Sequence, residues 1–160
     1  RDTAARVLTD PQSALVAHFQ EVDRRIAYMN SKGIAVDLIF GDGANQLTEL
    51  LPGRRQRERF IRYLVARYAA FNITWQGVER FEEYEQGRKL LGELFSHVVK
   101  WDPYSHPRSS GAAVTSSPLV EDDWMNYVVH RSHDTSLATV EYELLVLLLK
   151  RCQILSQFDK

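Results

Sequence analysis

Four glutamates fall within seven residues, Glu79, Glu82, Glu83 and Glu85, directly after the apolar run "NITWQGV". Carboxyl groups transfer protons in hydrolytic chemistry when one of them is withdrawn from bulk water and set beside a reacting bond. Glu79 is the first carboxylate beyond the run, and strict alternation from Trp75 puts it on the indole's face of a strand. A carboxyl group beside an indole loses solvation, which is the condition for a general acid. The plain alternative is an acidic loop in water from Glu79 to Glu85, the usual setting of a carboxylate run.

The other chemically capable residues point less clearly. "HRSHD" offers His130, His133 and Asp134, but a strand end does not make ligands three residues apart converge. Cys152 is the single cysteine, which excludes an internal disulfide and any multi-cysteine metal site; with no third His-rich element beside "HRSHD", no metal site is expected. Asp37, in the middle of an apolar run, reads as a hydrogen-bonded structural carboxylate. "TSSPL" contains serines without the G-x-S-x-G elbow of a nucleophile. No G-x-G-x-x-G or P-loop pattern follows any strand, and no cofactor is expected. Arg55, Arg59 and Arg62 share one helical stripe. With a net charge of -1 that stripe reads as a solvated outer face, and no nucleic-acid partner is expected.

Such residues need a scaffold to position them. With 160 residues, 44% hydrophobic and 26% charged, the chain has the size and composition of one globular domain, residues 1–160. It carries no signal-peptide pattern or apolar run long enough to span a bilayer, and no membrane partner is expected. Asp10 and Pro11 open a helix whose stripe is Leu15, Phe19, Val22, Ile26 and Met29, and Gly33 ends it. "IAVDLIF" follows as a strand too apolar to face water on either side, then the loop "GDGANQL". A second helix buries Phe60, Ile61, Leu64, Val65 and Tyr68 and runs into the strand "NITWQGV". A third buries Leu90, Leu91, Leu94, Phe95 and Val98. "GAAVT" and "MNYVVH" are the expected third and fourth strands, and a helical segment apolar all round from Leu144 to Leu149 closes the pattern.

This alternation predicts an α/β fold of parallel strands joined by right-handed crossovers, either a doubly wound sheet or a barrel. Both handle ligands at the carboxyl ends of the strands. That face holds Phe40 to Asp42, Glu79, Thr115 to Ser117 and His130 to Asp134. "DPYSHPRS" enters the third strand from the other side and reads as a structural turn.

"YMNSKGIAVDLIF", "RERFIRYLVARYAAFNITWQGVERFEEYEQGRKLLGEL", "DPYSHPRSSGA" and "WMNYVVHRSHD" together resemble the apiosidase-like, cellulase-like branch of the (β/α)-barrel glycoside hydrolases, from about Ala14 to Glu143. The resemblance implies a partial TIM-type barrel lacking the first two and last two strands. It implies an acid/base carboxylate at Glu79, with Glu82 as its rival, and a sugar site lined by Asp42, Gln76, Ser116, Arg131, Ser132 and His133. Relatives of this kind are exported, so a periplasmic or extracellular setting is implied too. Two departures stand out: Val78 precedes Glu79 where the clan has Asn, and Arg131 precedes Ser132 where Gln is common.

A complete barrel takes about 250 residues, and "LLVLLLKRCQILSQFDK" offers no strand with a nucleophilic Glu. Glycoside hydrolysis needs a pair of carboxyl groups, whose second member would be Glu121, Asp122, Asp134 or Glu141. The expectation is therefore a fragment or truncated relative of a glycoside hydrolase with one identifiable acid/base Glu. The alternative is a catalytically inactive remnant that binds carbohydrate or assembles. Unpaired sheet edges and the leucines at 144–149 predict self-association.

Overall fold

The computed structural model describes residues 14–42 and 47–131. Along the chain run α1 (Ala14–Ser31), β1 (Val36–Gly41), the one-turn α2 (Leu47–Leu50), α3 (Arg54–Tyr68), β2 (Ile73–Val78) and a 3-10 turn at Phe81–Glu83. Then come α4 (Gly87–Trp101), β3 (Arg108–Ser109) and a second 3-10 turn at Ser117–Leu119. The three strands form one parallel sheet in the order β1-β2-β3, with Val36 opposite Ile73, Gly41 opposite Val78 and Trp75 opposite Arg108. This is an α/β arrangement, a segment of a TIM-type barrel with helices on its outer face.

The helices obey their local signals. At the end of α1, Gly33 takes φ 77°, and the Ile34 and Gly33 amides donate back to the Met29 and Asn30 carbonyls, a Schellman cap. The Asn30 side chain then donates to the Ile34 and Asn72 carbonyls and accepts from the Asn72 amide, which ties the end of α1 to the entry of β2. Asp23 of α1 receives both arms of Arg67 from α3, at 2.9 and 2.6 Å. On α3 the stripe Phe60, Ile61, Val65 and Tyr68 is buried, and on α4 so are Leu90, Leu91, Leu94, Phe95 and Val98. These stripes meet Phe40, Ile73 and Trp75 in one core. Gly77 lets α4 approach β2, because a Cβ there would strike Leu91 and crowd Ser110 and Phe95. Between the two helices, Arg57 is buried, paired in two bonds with Glu93 and donating to the Leu51 and Pro52 carbonyls.

Three expectations about strands need correction. β1 is not covered on both sides: its burial alternates, with Asp37 and Ile39 exposed and Phe40 buried. The helices cover one face of the sheet, and among the described residues no strand flanks β1 on its outer edge. The third strand is not "GAAVT" but Arg108–Ser109, a few residues earlier. The chain pairs with Trp75 and Gln76 as soon as it leaves the turn at Asp102, and by Gly111 it has passed the end of β2. "MNYVVH" is not a parallel strand. Its His130 forms a single antiparallel bridge with Thr115, and Asn126 caps the edge of β3 by donating its amide to the Arg108 carbonyl and accepting the Arg108 amide on its side chain. That segment starts on the helix face, where Trp124 stacks on Phe95 at 4.2 Å, and reaches the open face, where the Tyr127 hydroxyl donates to Asp37. The leucine-rich stretch 144–149 lies outside the described residues.

Candidate active site

β1 and β2 end side by side, so the residues just past them share one rim. Glu79 is the first residue beyond β2, and its amide donates to the Gly41 carbonyl at 2.8 Å, extending the β1–β2 ladder by one bond. Its carboxylate is about one-third exposed and accepts a hydrogen bond from Arg131 at 2.6 Å. The indole expected beside it is committed elsewhere. Trp75 is fully buried against Phe40 and His106, and its Nε1 donates to Asp102 at 3.0 Å. The pleat ends at Val78, so alternation counted from Trp75 does not carry over to Glu79. What meets the carboxylate is a cation.

The other sugar-site candidates divide. Arg131 reaches Glu79 because its backbone hangs on the antiparallel bridge, its amide donating to the Val114 carbonyl at 2.7 Å. Glu82, in the 3-10 turn, accepts the Ala113 amide on both oxygens at 3.2 Å and so ties the acidic loop to the segment after β3. Gln76 is buried between Asp37 and Gly111, and hydrogen-bond complementarity assigns its amide nitrogen to the Asp37 side and its oxygen to the Gly111 amide, 3.3 Å away. Ser116 is fully buried and its hydroxyl accepts the Val129 amide at 2.8 Å. Asp42 sits at the rim, its carbonyl receiving the Tyr84 hydroxyl at 2.8 Å. Ser132 and His133 lie outside the described residues, as does Asp134. Of the four possible second carboxylates, Asp122 is paired with Arg88, Glu121 is exposed, and Asp134 and Glu141 fall outside the described residues.

Two contributors were not foreseen from sequence. Tyr84, inside "FEEYE", is buried and braces both flanks of the loop after β1, donating to Asp42 and accepting the Leu47 amide at 3.1 Å. Burial raises its pKa, so the phenol stays neutral. Tyr84→Phe is expected to cost about 1–2 kcal/mol, the price of a buried amide without its acceptor. Hydrogen exchange at Leu47 should accelerate with it; unchanged exchange would show that the brace is not there. The second is Gly111, whose close approach to the carbonyl of Glu79 leaves no room for a Cβ. A Gly between Ser110 and Ala112 carries little local signal, and only the packed pair of segments makes it necessary.

A polar network lies lower on the open face. Asp37 accepts from Thr74 at 2.6 Å, from Tyr127 at 3.2 Å and from the Gln76 amide. Burial pushes the Tyr127 phenol up to about 12, and the adjacent Asp37 carboxylate adds to the effect. An open cleft of about 610 Å³ adjoins it, lined by Asp37, Thr74, Ser105, Pro107, Asn126 and Tyr127 at the amino ends of the strands. Below β3, Asp102 fills the structural role expected of its turn, accepting from Trp75 and from the Tyr104 and His106 amides. Among the described residues no group of three His, Cys, Asp or Glu side chains is placed to hold a metal, and no helix is long and apolar enough to cross a membrane.

Comparison with known proteins assigns this framework. Residues 2–146 match the family described as apiosidase-like, catalytic domain. A candidate glycoside hydrolase structure from Bacteroides vulgatus ATCC 8482 is similar at 28% identity and TM-score 0.53, covering 62% of this chain and 20% of that one. A family 5 glycoside hydrolase structure from the same organism has TM-score 0.63 at 18% identity, covering 77% of this chain and 27% of that one, a likeness of fold alone. The chain thus spans about a fifth to a quarter of the solved structures it matches. No match was found among curated proteins.

Proposed function

We propose, for a chain that belongs to the apiosidase-like catalytic-domain family, that the rim at the carboxyl ends of β1 and β2 binds carbohydrate and that Glu79 is its acid/base carboxylate. The observation that carries this reading is the placement of Glu79 at the end of a parallel strand, about two-thirds shielded and tied to Gly41 of the neighbouring strand. Ligands of barrel enzymes are handled on that side. Glu82 is the weaker candidate because its carboxylate is turned to the Ala113 amide, which both oxygens share. Cleavage of a glycosidic bond needs a second carboxyl group, roughly 5 Å away in a retaining site and farther in an inverting one.

The test is direct. The chain is titrated with a 4-nitrophenyl apioside and, separately, with a cello-oligosaccharide, while amide shifts are followed by NMR and free nitrophenol by absorbance. Sugar-dependent shifts at Gly41, Asp42 and Glu79, with at least tenfold weaker binding for Glu79→Gln, are the expected result. The half-exposed Ile39 and the edge of β1, unflanked among the described residues, favour a second reading, an assembly module. Absence of sugar-dependent shifts, together with concentration-dependent sedimentation, would replace the first reading with that one.

A further inference from the structure

Glu79 is followed in sequence by a cation, Arg80, yet Arg80 is spent on Glu83 at 2.9 Å. The guanidinium that meets Glu79 comes from Arg131, 52 residues away, and it contacts one carboxylate oxygen, Oε1, at 2.6 Å. Both backbones are anchored. The Glu79 amide is bonded to Gly41, and Arg131 is held by the Thr115–His130 bridge, with flanking bonds from the Arg131 amide to Val114 and from the Ser116 amide to Val129. The Ser116 hydroxyl, fully buried, accepts the Val129 amide and stiffens the same bridge.

A glutamate has three side-chain torsions, and a partly exposed one at a strand end samples several rotamers unless something holds its head group. A charge-assisted bond shorter than an ordinary amide hydrogen bond supplies that hold. Arg131 engages Oε1, and among the described residues no hydrogen bond reaches Oε2, which leaves that oxygen for a ligand approaching the rim. Both partners keep about a quarter to a third of their side-chain surface in water, so the pair is worth little as a source of fold stability. Its consequence lies in where the carboxylate points.

We propose that Arg131 is a positioning residue: suspended from the Thr115–His130 bridge, it fixes the Glu79 carboxylate through Oε1 and presents Oε2 to the ligand. This rests on the reading of Glu79 as the sugar-facing carboxylate and adds that Arg131 acts through it rather than by touching sugar. The bridge thereby gives the segment after β3 a function: Ser116 and Val129 set the height at which the guanidinium meets Glu79.

Two measurements on the full chain test this. The first needs no ligand: carbon-13 relaxation of the Glu79 Cγ methylene, in the unmodified protein, Arg131→Lys and Arg131→Gln. Glu79 should be ordered in the first, largely ordered with lysine and mobile with glutamine, while methyl groups of the core are unchanged in all three. A Glu79 methylene that stays equally ordered with glutamine at position 131 would overturn the proposal. The second is a double-mutant cycle on binding of the 4-nitrophenyl apioside. Arg131→Gln should weaken binding about fivefold to tenfold alone and cause no further loss in the Glu79→Gln background. Losses that multiply would mean that Arg131 contacts the sugar itself, and the positioning role would be rejected. If Glu79→Gln leaves binding unchanged, or if no sugar binds, the reading of Glu79 as sugar-facing fails; the relaxation experiment still decides whether Arg131 holds it.

Discussion

Gly111→Ala is expected to destabilise the protein by about 3 kcal/mol, the upper range for forcing an atom into a packed site, and to push Glu79 out of place. The Cβ it adds would land on the carbonyl of Glu79 and crowd the Gln76 amide. A flexible side chain could swing away, but the backbone carbonyl of a residue whose amide is bonded to the neighbouring strand cannot. Either the segment after β3 lifts off β2 or the end of β2 shifts, and both disturb the same rim. The Phe81 amide, which donates to the Gly111 carbonyl at 3.4 Å, would move as well. Chemical denaturation reports the stability loss, and amide shifts at Glu79, Phe81 and Gln76 report the displacement. Gly92→Ala is the control: it lies within α4, where a Cβ meets nothing within 4 Å. It should stabilise by about 0.5–1 kcal/mol through helix propensity alone. Equal behaviour of the two variants would show that the close approach at Gly111 is not real.

Asp102→Ala should be at least as damaging, costing about 3–5 kcal/mol. The carboxylate is buried and gathers the Trp75 indole N–H, the Tyr104 and His106 amides and the His106 ring nitrogen Nδ1. The other ring nitrogen of His106 faces the Phe71 carbonyl at 3.1 Å, so the cluster also holds the entry to β2. Removing the acceptor leaves several buried donors without partners, which costs far more than the bonds contribute net. Trp75 is fully buried, and its fluorescence should shift as its N–H loses Asp102.

The same group sets an acid limit. Burial raises the Asp102 pKa, but the hydrogen bonds from Trp75, Tyr104 and His106 outweigh it and hold the carboxyl below its ordinary value of 3.8. A depressed folded-state pKa contributes stability that is complete above 3.8 and is lost as pH falls from there through the folded-state value. Asp102→Asn should therefore be less stable at neutral pH and should lose less further stability below 3.8 than the unmodified chain. Parallel stability curves for the two proteins across that range would contradict the assignment.

Several features of this architecture are written locally. The stripes of α3 and α4, with Phe60, Ile61 and Val65 on one and Leu91, Leu94 and Phe95 on the other, are buried where their spacing puts them. The cause is that a helix face is set by residues three and four apart. Gly33 ends α1 for an equally local reason, its positive φ. Parallel pairing of β1 and β2 followed from the helix between them, since a crossover of that length returns the chain in the same direction. Position at a strand end also brought Glu79 and Asp42 to the same rim.

Tertiary structure decided which partners those residues meet. Periodicity reports how much of a residue is covered, not what covers it. Trp75 is as buried as its strand position implies, yet its N–H turns to Asp102 and not toward Glu79. β3 spans only two residues, too few to leave a periodic trace, and its place is set by the register of Trp75 and Gln76. Asp37 meets Tyr127 across 90 residues and Glu79 meets Arg131 across 52. Neither spacing means anything along the chain. Each contact exists because the segment after β3 wraps the sheet edge, and that path is chosen by the packing of Trp124 on Phe95 and by Asn126 completing the edge of β3.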